Sequence, residues 1–182
     1  MNVLIQDRVS AGQELAQWLT KYRKQPEVLV LALSRGGVPV AAEIARELHA
    51  PLEIEQRMKA YRGDRAWPEI AGKRVILVDE GVVSGATMRA AIASLRPQAP
   101  GKLIIAVPVA PFQSLIELRR EADEVVCLAT PEPFQSVGAC YASYAQLSDG
   151  EICRVLSERW ATQDLPSAFS AFGRAGSDSA SG

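Results

Sequence analysis

The stretch Val75-Ile76-Leu77-Val78-Asp79-Glu80-Gly81-Val82-Val83-Ser84-Gly85-Ala86-Thr87 decides the reading of this chain. Four apolar residues run into two acids, and a small, hydroxyl-bearing loop follows. Met88, Ala91, Ile92 and Leu95 then recur at helical spacing. The pattern predicts a buried strand, a carboxylate pair at its tip, and a turn that opens a helix. Free backbone N–H groups and the helix dipole both favour negative charge at such a turn, so it suits a phosphate. Asp79 and Glu80 suit the hydroxyls of a sugar, or a hard cation such as Mg2+. One ligand with both parts is a phosphorylated sugar.

On either side, helix and strand patterns alternate. Ser10–Gln13 reads as a capping box, followed by an apolar face of Leu15, Trp18, Leu19 and Tyr22. Apolar strands are expected at Val28–Leu33, Pro51–Ile54, Arg74–Val78, Lys102–Val109 and Glu124–Leu128. Helices are expected at Pro39–Leu48, Ala86–Arg96 and Gln113–Glu121, and a last one opens at a second capping box, Ser148–Glu151. Continuous apolar strands separated by amphipathic helices imply an α/β fold, a doubly wound parallel sheet covered on both faces. With the strands taken in the order 2-1-3-4-5, the topological switch lies between the first and third. Their carboxyl ends, Ser34-Arg35-Gly36-Gly37 and the Glu80–Thr87 loop, then meet in one crevice.

At 182 residues the chain fits one domain with a sizeable core, read as residues 1–163, with a serine-, alanine- and glycine-rich disordered tail at 164–182. Phe169 and Phe172 in that tail have no assigned role. Twenty basic residues balance 21 acidic ones, which gives no electrostatic reason to expect a nucleic-acid partner. No apolar run approaches the ~20 residues of a membrane span, and the first residues are too quickly polar for a signal peptide. The chain therefore reads as cytoplasmic. Cys127, Cys140 and Cys153 form no CxxC pair, and their odd number argues against a disulfide framework. Cys127 falls in an apolar strand and is expected in the core. His49, the only histidine, is expected to play a structural part at a helix end.

The acid-pair stretch resembles the binding signature for phosphoribosyl pyrophosphate (PRPP) in type I phosphoribosyltransferases. Further stretches resemble one bacterial branch of that family: Asp7-Arg8 with Ala11-Gly12, Leu31–Val40, Ala106–Pro111 and Thr130–Phe134. Together they span most of residues 3–157. The resemblance implies transfer of a phosphoribosyl group to a small-molecule nitrogenous acceptor, with pyrophosphate released. It implies that Val82, Val83, Ser84, Gly85, Ala86 and Thr87 wrap the 5-phosphate. Gly85 lets the backbone approach closely, while Ser84 and Thr87 add hydroxyl donors. Ser34, Arg35, Gly36 and Gly37 would hold pyrophosphate, in a turn that in the family often contains a cis peptide. Asp79 and Glu80 would serve catalysis, facing the ribose and, directly or through water, Mg2+. Phe134 and Val137 would contact the acceptor, with Phe134 stacking on its ring. Family members commonly form homodimers.

Three departures stand out. The branch usually has proline where this chain has Ser34, and aspartate where it has Glu80. Family members also place a hood and a flexible loop between the second strand and the signature, whereas only Glu55–Lys73 lie there in this chain. Apolar residues near Met58, Tyr61 and Trp67 are candidates for a subunit contact or a substitute lid. Three readings compete: a phosphoribosyltransferase with an abbreviated hood, a non-catalytic module binding PRPP or a nucleotide, and a related enzyme acting on another sugar phosphate.

Overall fold

The computed structural model describes residues 4–164. At its centre lie β1 (Val28–Ala32), β2 (Leu52–Ile54), β3 (Arg74–Val78), β4 (Lys102–Val109) and β5 (Glu124–Ala129). They form one sheet in the order β2-β1-β3-β4-β5, with every neighbouring pair parallel. The doubly wound α/β class agrees with the expectation from the apolar runs, and the order is the one assumed for them.

Alternation explains why those runs have no polar side. Val28, Val30, Ala32, Ile76, Val78 and Ile104 point towards α1 (Arg8–Trp18), α2 (Gly37–Leu48) and α6 (Asp149–Gln163). Their neighbours Leu29, Leu31, Val75, Leu77, Leu103 and Ile105 point towards α4 (Ala86–Leu95) and α5 (Phe112–Glu121). Each fully buried leucine or isoleucine contributes roughly 1.5–3 kcal/mol, so the two apolar layers carry the fold.

Two local expectations are corrected. The capping box of α1 is Asp7 with Ser10, not Ser10 with Gln13: the Asp7 carboxylate accepts from Ser10 N at 2.7 Å, and Ser10 Oγ accepts from Asp7 N at 3.0 Å. Trp18 is 68% exposed rather than on the apolar face. The buried stripe of α1 is Ala11, Gly12, Leu15 and Ala16, fixed by close packing on α2. A β-carbon at Gly12 would meet Glu43 Cβ at 2.7 Å, so only glycine admits this approach. That orientation turns Trp18 to the flank.

The box Ser148–Glu151 opens α6 as expected. His49 ends α2 in the left-handed region (φ 54°), the structural role foreseen for it. Cys127 is only partly buried, on the edge strand β5, short of the core position expected for it; burial still pushes its thiol up to about 11.

Residues 55–73, including the short helix α3 (Lys59–Arg62), cross from β2 to β3. Arg62 stacks on Trp67 at 4.7 Å and donates to Ile54 O. Arg65 lies 4.5 Å over Trp160 and pairs with Glu53 and Asp164. Met58 and Tyr61 pack against one core and Trp67 against the other. These three residues are thus engaged in the protein's own packing, which corrects the idea of a substitute lid. Among the described residues no helix is long and apolar enough to cross a membrane. Phe169 and Phe172 lie outside the described residues.

Candidate functional site

β1 and β3 are hydrogen-bonded neighbours with Ala32 opposite Val78, so the two glycine-bearing loops leave the sheet side by side. Ser34 joins them. Its hydroxyl donates to Asp79 Oδ1 at 2.5 Å and accepts from Gly37 N at 3.0 Å, capping α2 while holding the acid. The same carboxylate oxygen accepts from Glu80 N at 2.8 Å. Asp79 is only 9% exposed. Burial raises its pKa from 3.8 to about 6; the two hydrogen bonds pull the other way, and the Glu80 charge adds to the rise.

The loop after β3 is pinned from beneath. Val82 is buried and its N–H donates to Val109 O at 2.9 Å, while Ser114 Oγ donates to Val83 O at 2.6 Å. Gly85 takes φ +76° at the N-cap of α4, where a residue with a β-carbon is strained. Above this base, Val83, Ser84, Ala86 and Thr87 are exposed. Asp79 and Gly81–Met88 line a cleft of about 180 Å³. The cleft has the size and the open helix N-terminus to hold a phosphate group.

Glu80 points away from that cleft. Its carboxylate meets Arg8 Nε at 2.5 Å and covers Gly36 so closely that a β-carbon there would overlap it. Arg8 also donates from Nη1 to Ala145 O at 2.9 Å and lies 4.1 Å over the Tyr144 ring. Tyr141 donates to Glu80 O at 2.6 Å. Arg35 is turned towards the start of α6, with Nη2 2.6 Å from Leu147 O and 3.0 Å from Asp149. Both arginines line a hollow of about 300 Å³. The expected cis peptide is not in this turn; among the described residues the cis bond is Glu132–Pro133.

Phe134 and Val137 lie beyond β5. Val137 packs on the loop base: a β-carbon at Gly81 would meet it at 2.7 Å. Phe134 is partly buried against the cluster of Ile5, Val109 and Tyr141, and it lines an outer hollow of about 420 Å³ with Phe112, Pro131 and Pro133. Phe112 is 60% exposed. Three hollows thus lie around the carboxyl ends of the strands: one with two guanidinium groups, one beside the buried Asp79, and one lined by Phe112 and Phe134. A model of the phosphoribosyl transferase domain matches residues 4–143.

The chain belongs to this family. Its fold is similar to that of TT1426 from Thermus thermophilus, with a TM-score of 0.77 and 28% identity over 85% of this chain and 98% of that one. It also resembles a hypoxanthine-guanine phosphoribosyltransferase of Bacillus anthracis in fold alone (TM-score 0.51, 19% identity, 73% and 85% covered). A Mycobacterium tuberculosis protein, provisionally named a phosphoribosyl transferase, is 31% identical over 84% of this chain. The chain spans about half of that relative, 46% of its length. The alignment runs over 206 positions, longer than the 182-residue chain, so the relative carries residues that this chain lacks.

Arg8, Tyr144 and Phe112 line these hollows, where the sequence reading had not placed them. Arg8 gave a signal only as part of the resembling Asp7-Arg8 pair. Phe112 follows Pro111 at the end of β4, where ligand-facing residues of such sheets collect. Tyr144 gave none.

Phosphoribosyl transferases generally use Mg2+ with PRPP, and the acids here fit direct ligation poorly. Asp79 Oδ1 already accepts two hydrogen bonds and Glu80 is held by Arg8. Among the described residues no three of His, Cys, Asp and Glu gather as a metal cluster.

Thr87 offers a direct test of the cleft. It is exposed at the first turn of α4, so Thr87→Ala is expected to leave the melting temperature nearly unchanged. Calorimetric titration should show phosphate or nucleotide binding weakened by about 1–2 kcal/mol, the scale of a hydrogen bond to a charged group.

Proposed function

We propose that the protein binds PRPP or a ribonucleotide and transfers the phosphoribosyl group to a nitrogenous acceptor, releasing pyrophosphate. The observation that carries this reading is the cleft of Gly81–Met88 beside Asp79, with phosphate-binding geometry next to an acid suited to sugar hydroxyls. Val82–Thr87 take the 5-phosphate through backbone N–H groups and the hydroxyls of Ser84 and Thr87. Asp79 receives ribose hydroxyls. Ser34–Gly37 and Arg35 receive the diphosphate once Arg35 leaves Asp149. The bond from C1 to the diphosphate oxygen breaks with its electron pair on the leaving group. The acceptor nitrogen bonds to C1 and its proton passes to solvent. Holding the three parts in line supplies most of the rate. The acceptor lies towards Phe134 and Val137.

In this reading the protein is a cytoplasmic homodimer whose partners are small molecules, with neither nucleic acid nor membrane involved. Mg2+ would be carried by the diphosphate, beside Asp79, and would neutralise its charge there. A non-catalytic module is the second reading. It draws support from the 55–73 strap, which leaves the crevice uncovered, and from 29% identity over half of the chain to the transcriptional regulator GfcR 2 of Methanosarcina barkeri.

A thermal-shift panel tests the binding claim: PRPP, pyrophosphate, nucleoside monophosphates and ribose phosphates, each with and without Mg2+. PRPP and nucleotides are expected to raise the melting temperature of the wild type more than that of Thr87→Ala. A panel that shifts neither protein would remove the reading.

A further inference from the structure

Glu80 lies in an odd place for a group that should greet a ligand. Its carboxylate is laid over Gly36, on the very turn whose backbone would face a diphosphate, and it is paired there with a guanidinium. The pair is well shielded, with side-chain exposures of 11% for Arg8 and 20% for Glu80. Arg8 itself is firmly seated. Ala145 O takes one of its N–H groups and the Tyr144 ring supports its face. Glu80 and Ala145 engage two of the five N–H donors that a guanidinium carries, and Arg8 lines the 300 Å³ hollow together with Arg35 and Gly36. The hollow thus presents a guanidinium whose Nε is already taken by an anion.

We propose that Arg8 is the anion-binding residue of this hollow, that its ligand is a diphosphate-type anion, and that Glu80 is a tethered counter-ion which the ligand must displace. The inference rests on the reading of this crevice as a phosphoribosyl site, and adds to it a residue from α1 and an exchange step. Glu80 holds Arg8 through Nε alone, whereas a phosphate can engage a guanidinium with two prongs, so it can replace the carboxylate without moving Arg8. A tethered carboxylate competes at an effective concentration in the millimolar range or above. It also repels an incoming dianion from close quarters. Glutamate reaches over Gly36 with a side chain one methylene longer than the aspartate usual at this position, so the exchange is tied to this chain's own departure from the pattern. Arg8 supplies a fixed positive charge where the acids fit a metal poorly.

The sign of one substitution separates this from the ordinary role of an acid pair. If Glu80 received ribose or a metal, neutralising it would weaken binding. As a displaced counter-ion, its neutralisation strengthens binding. The experiment is calorimetric titration of inorganic pyrophosphate, with EDTA present, into the wild-type protein, Glu80→Gln, Arg8→Gln and the double variant. Glu80→Gln is expected to tighten binding at least ten-fold and Arg8→Gln to weaken it at least ten-fold. The double variant should behave like Arg8→Gln, because the fork is lost in both. Circular dichroism melts identify any variant that fails to fold. Should Arg8→Gln fail, Arg8→Lys takes its place, with an expected loss because a lysine cannot fork. An unchanged or weaker affinity for Glu80→Gln overturns the proposal.

A parallel titration of inorganic phosphate, read against Thr87→Ala, keeps the two claims apart. Phosphate sensitive to Thr87 with pyrophosphate indifferent to Glu80 overturns the exchange and leaves the proposed function standing. The reverse result supports the exchange and removes the cleft that carries the function.

Discussion

Asp79→Asn is expected to stabilise the free protein at pH 8 by up to about 3 kcal/mol, and by almost nothing at pH 4. Asp79 is buried, and its pKa rises from 3.8 to about 6 on folding. A carboxyl whose folded pKa lies above its unfolded one favours the native state only while protonated. That contribution is complete below about 3.8 and is lost as pH rises through about 6. Near neutrality the wild type therefore carries a buried charge that the unfolded chain would hold in water. At about 1.4 kcal/mol per pH unit, the gap amounts to about 3 kcal/mol. Asparagine keeps the side-chain oxygen that accepts from Ser34 and Glu80 N, so the local network survives. For a chain of this size the expected rise in melting temperature is on the order of 5–10 °C at pH 8. Melts of both proteins between pH 4 and 8 check it. A variant less stable at every pH would assign the charge itself to a structural role. In the same variant PRPP should bind more weakly, since an amide is a poorer acceptor for sugar hydroxyls than a carboxylate.

Pyrophosphate release from PRPP is expected to depend little on the presence of an acceptor base, because water reaches this crevice freely. A phosphoribosyltransferase covers its site to keep water from capturing the sugar. In this chain the segment between β2 and β3 is a strap held down by Arg62, Arg65 and their tryptophans. The measurement is phosphate-coupled detection of pyrophosphate with and without a panel of purines and pyrimidines, alongside light scattering for oligomeric state. Release should be slow and nearly equal in the two arms. Brisk transfer that requires a base, from a monomer, would contradict the expectation. A rise in base dependence on dimer formation would mean that a second copy supplies the missing cover.

Some of this was legible in the residues and some was not. The parallel sheet could be read because β1, β3 and β4 are buried on both faces, so their sequences lack a polar side. The cleft could be read because Val82–Thr87 follows a buried strand directly and opens a helix, all within local sequence. The Arg8–Glu80 pair spans 72 positions and obeys no period, so nothing local announces it. Trp18 was misread because helical spacing gives a stripe but not the rotation that Gly12 imposes by its contact with α2. The strap was read as a shortened hood, yet Met58, Tyr61 and Trp67 look equally apolar whether they face solvent, a partner or the core. Only tertiary packing separates those cases. Ser34 illustrates the same limit, since its bond to Asp79 depends on the adjacency of β1 and β3.

The seat of Arg8 also bears on how the protein emerges from the ribosome. Leu4 and Ile5 are stitched to Cys140 and Ala142, with a bridge between Ile5 and Tyr141, and Arg8 is then fixed by Tyr144 and Ala145. Synthesis runs from the N-terminus, so Arg8 is made early and lacks its seat until a segment some 137 positions later has left the tunnel. β1, β3 and the loop after β3 can pair well before that moment. A growing chain thus displays the loop after β3 before Tyr144 and Ala145 can seat the guanidinium that pairs with Glu80.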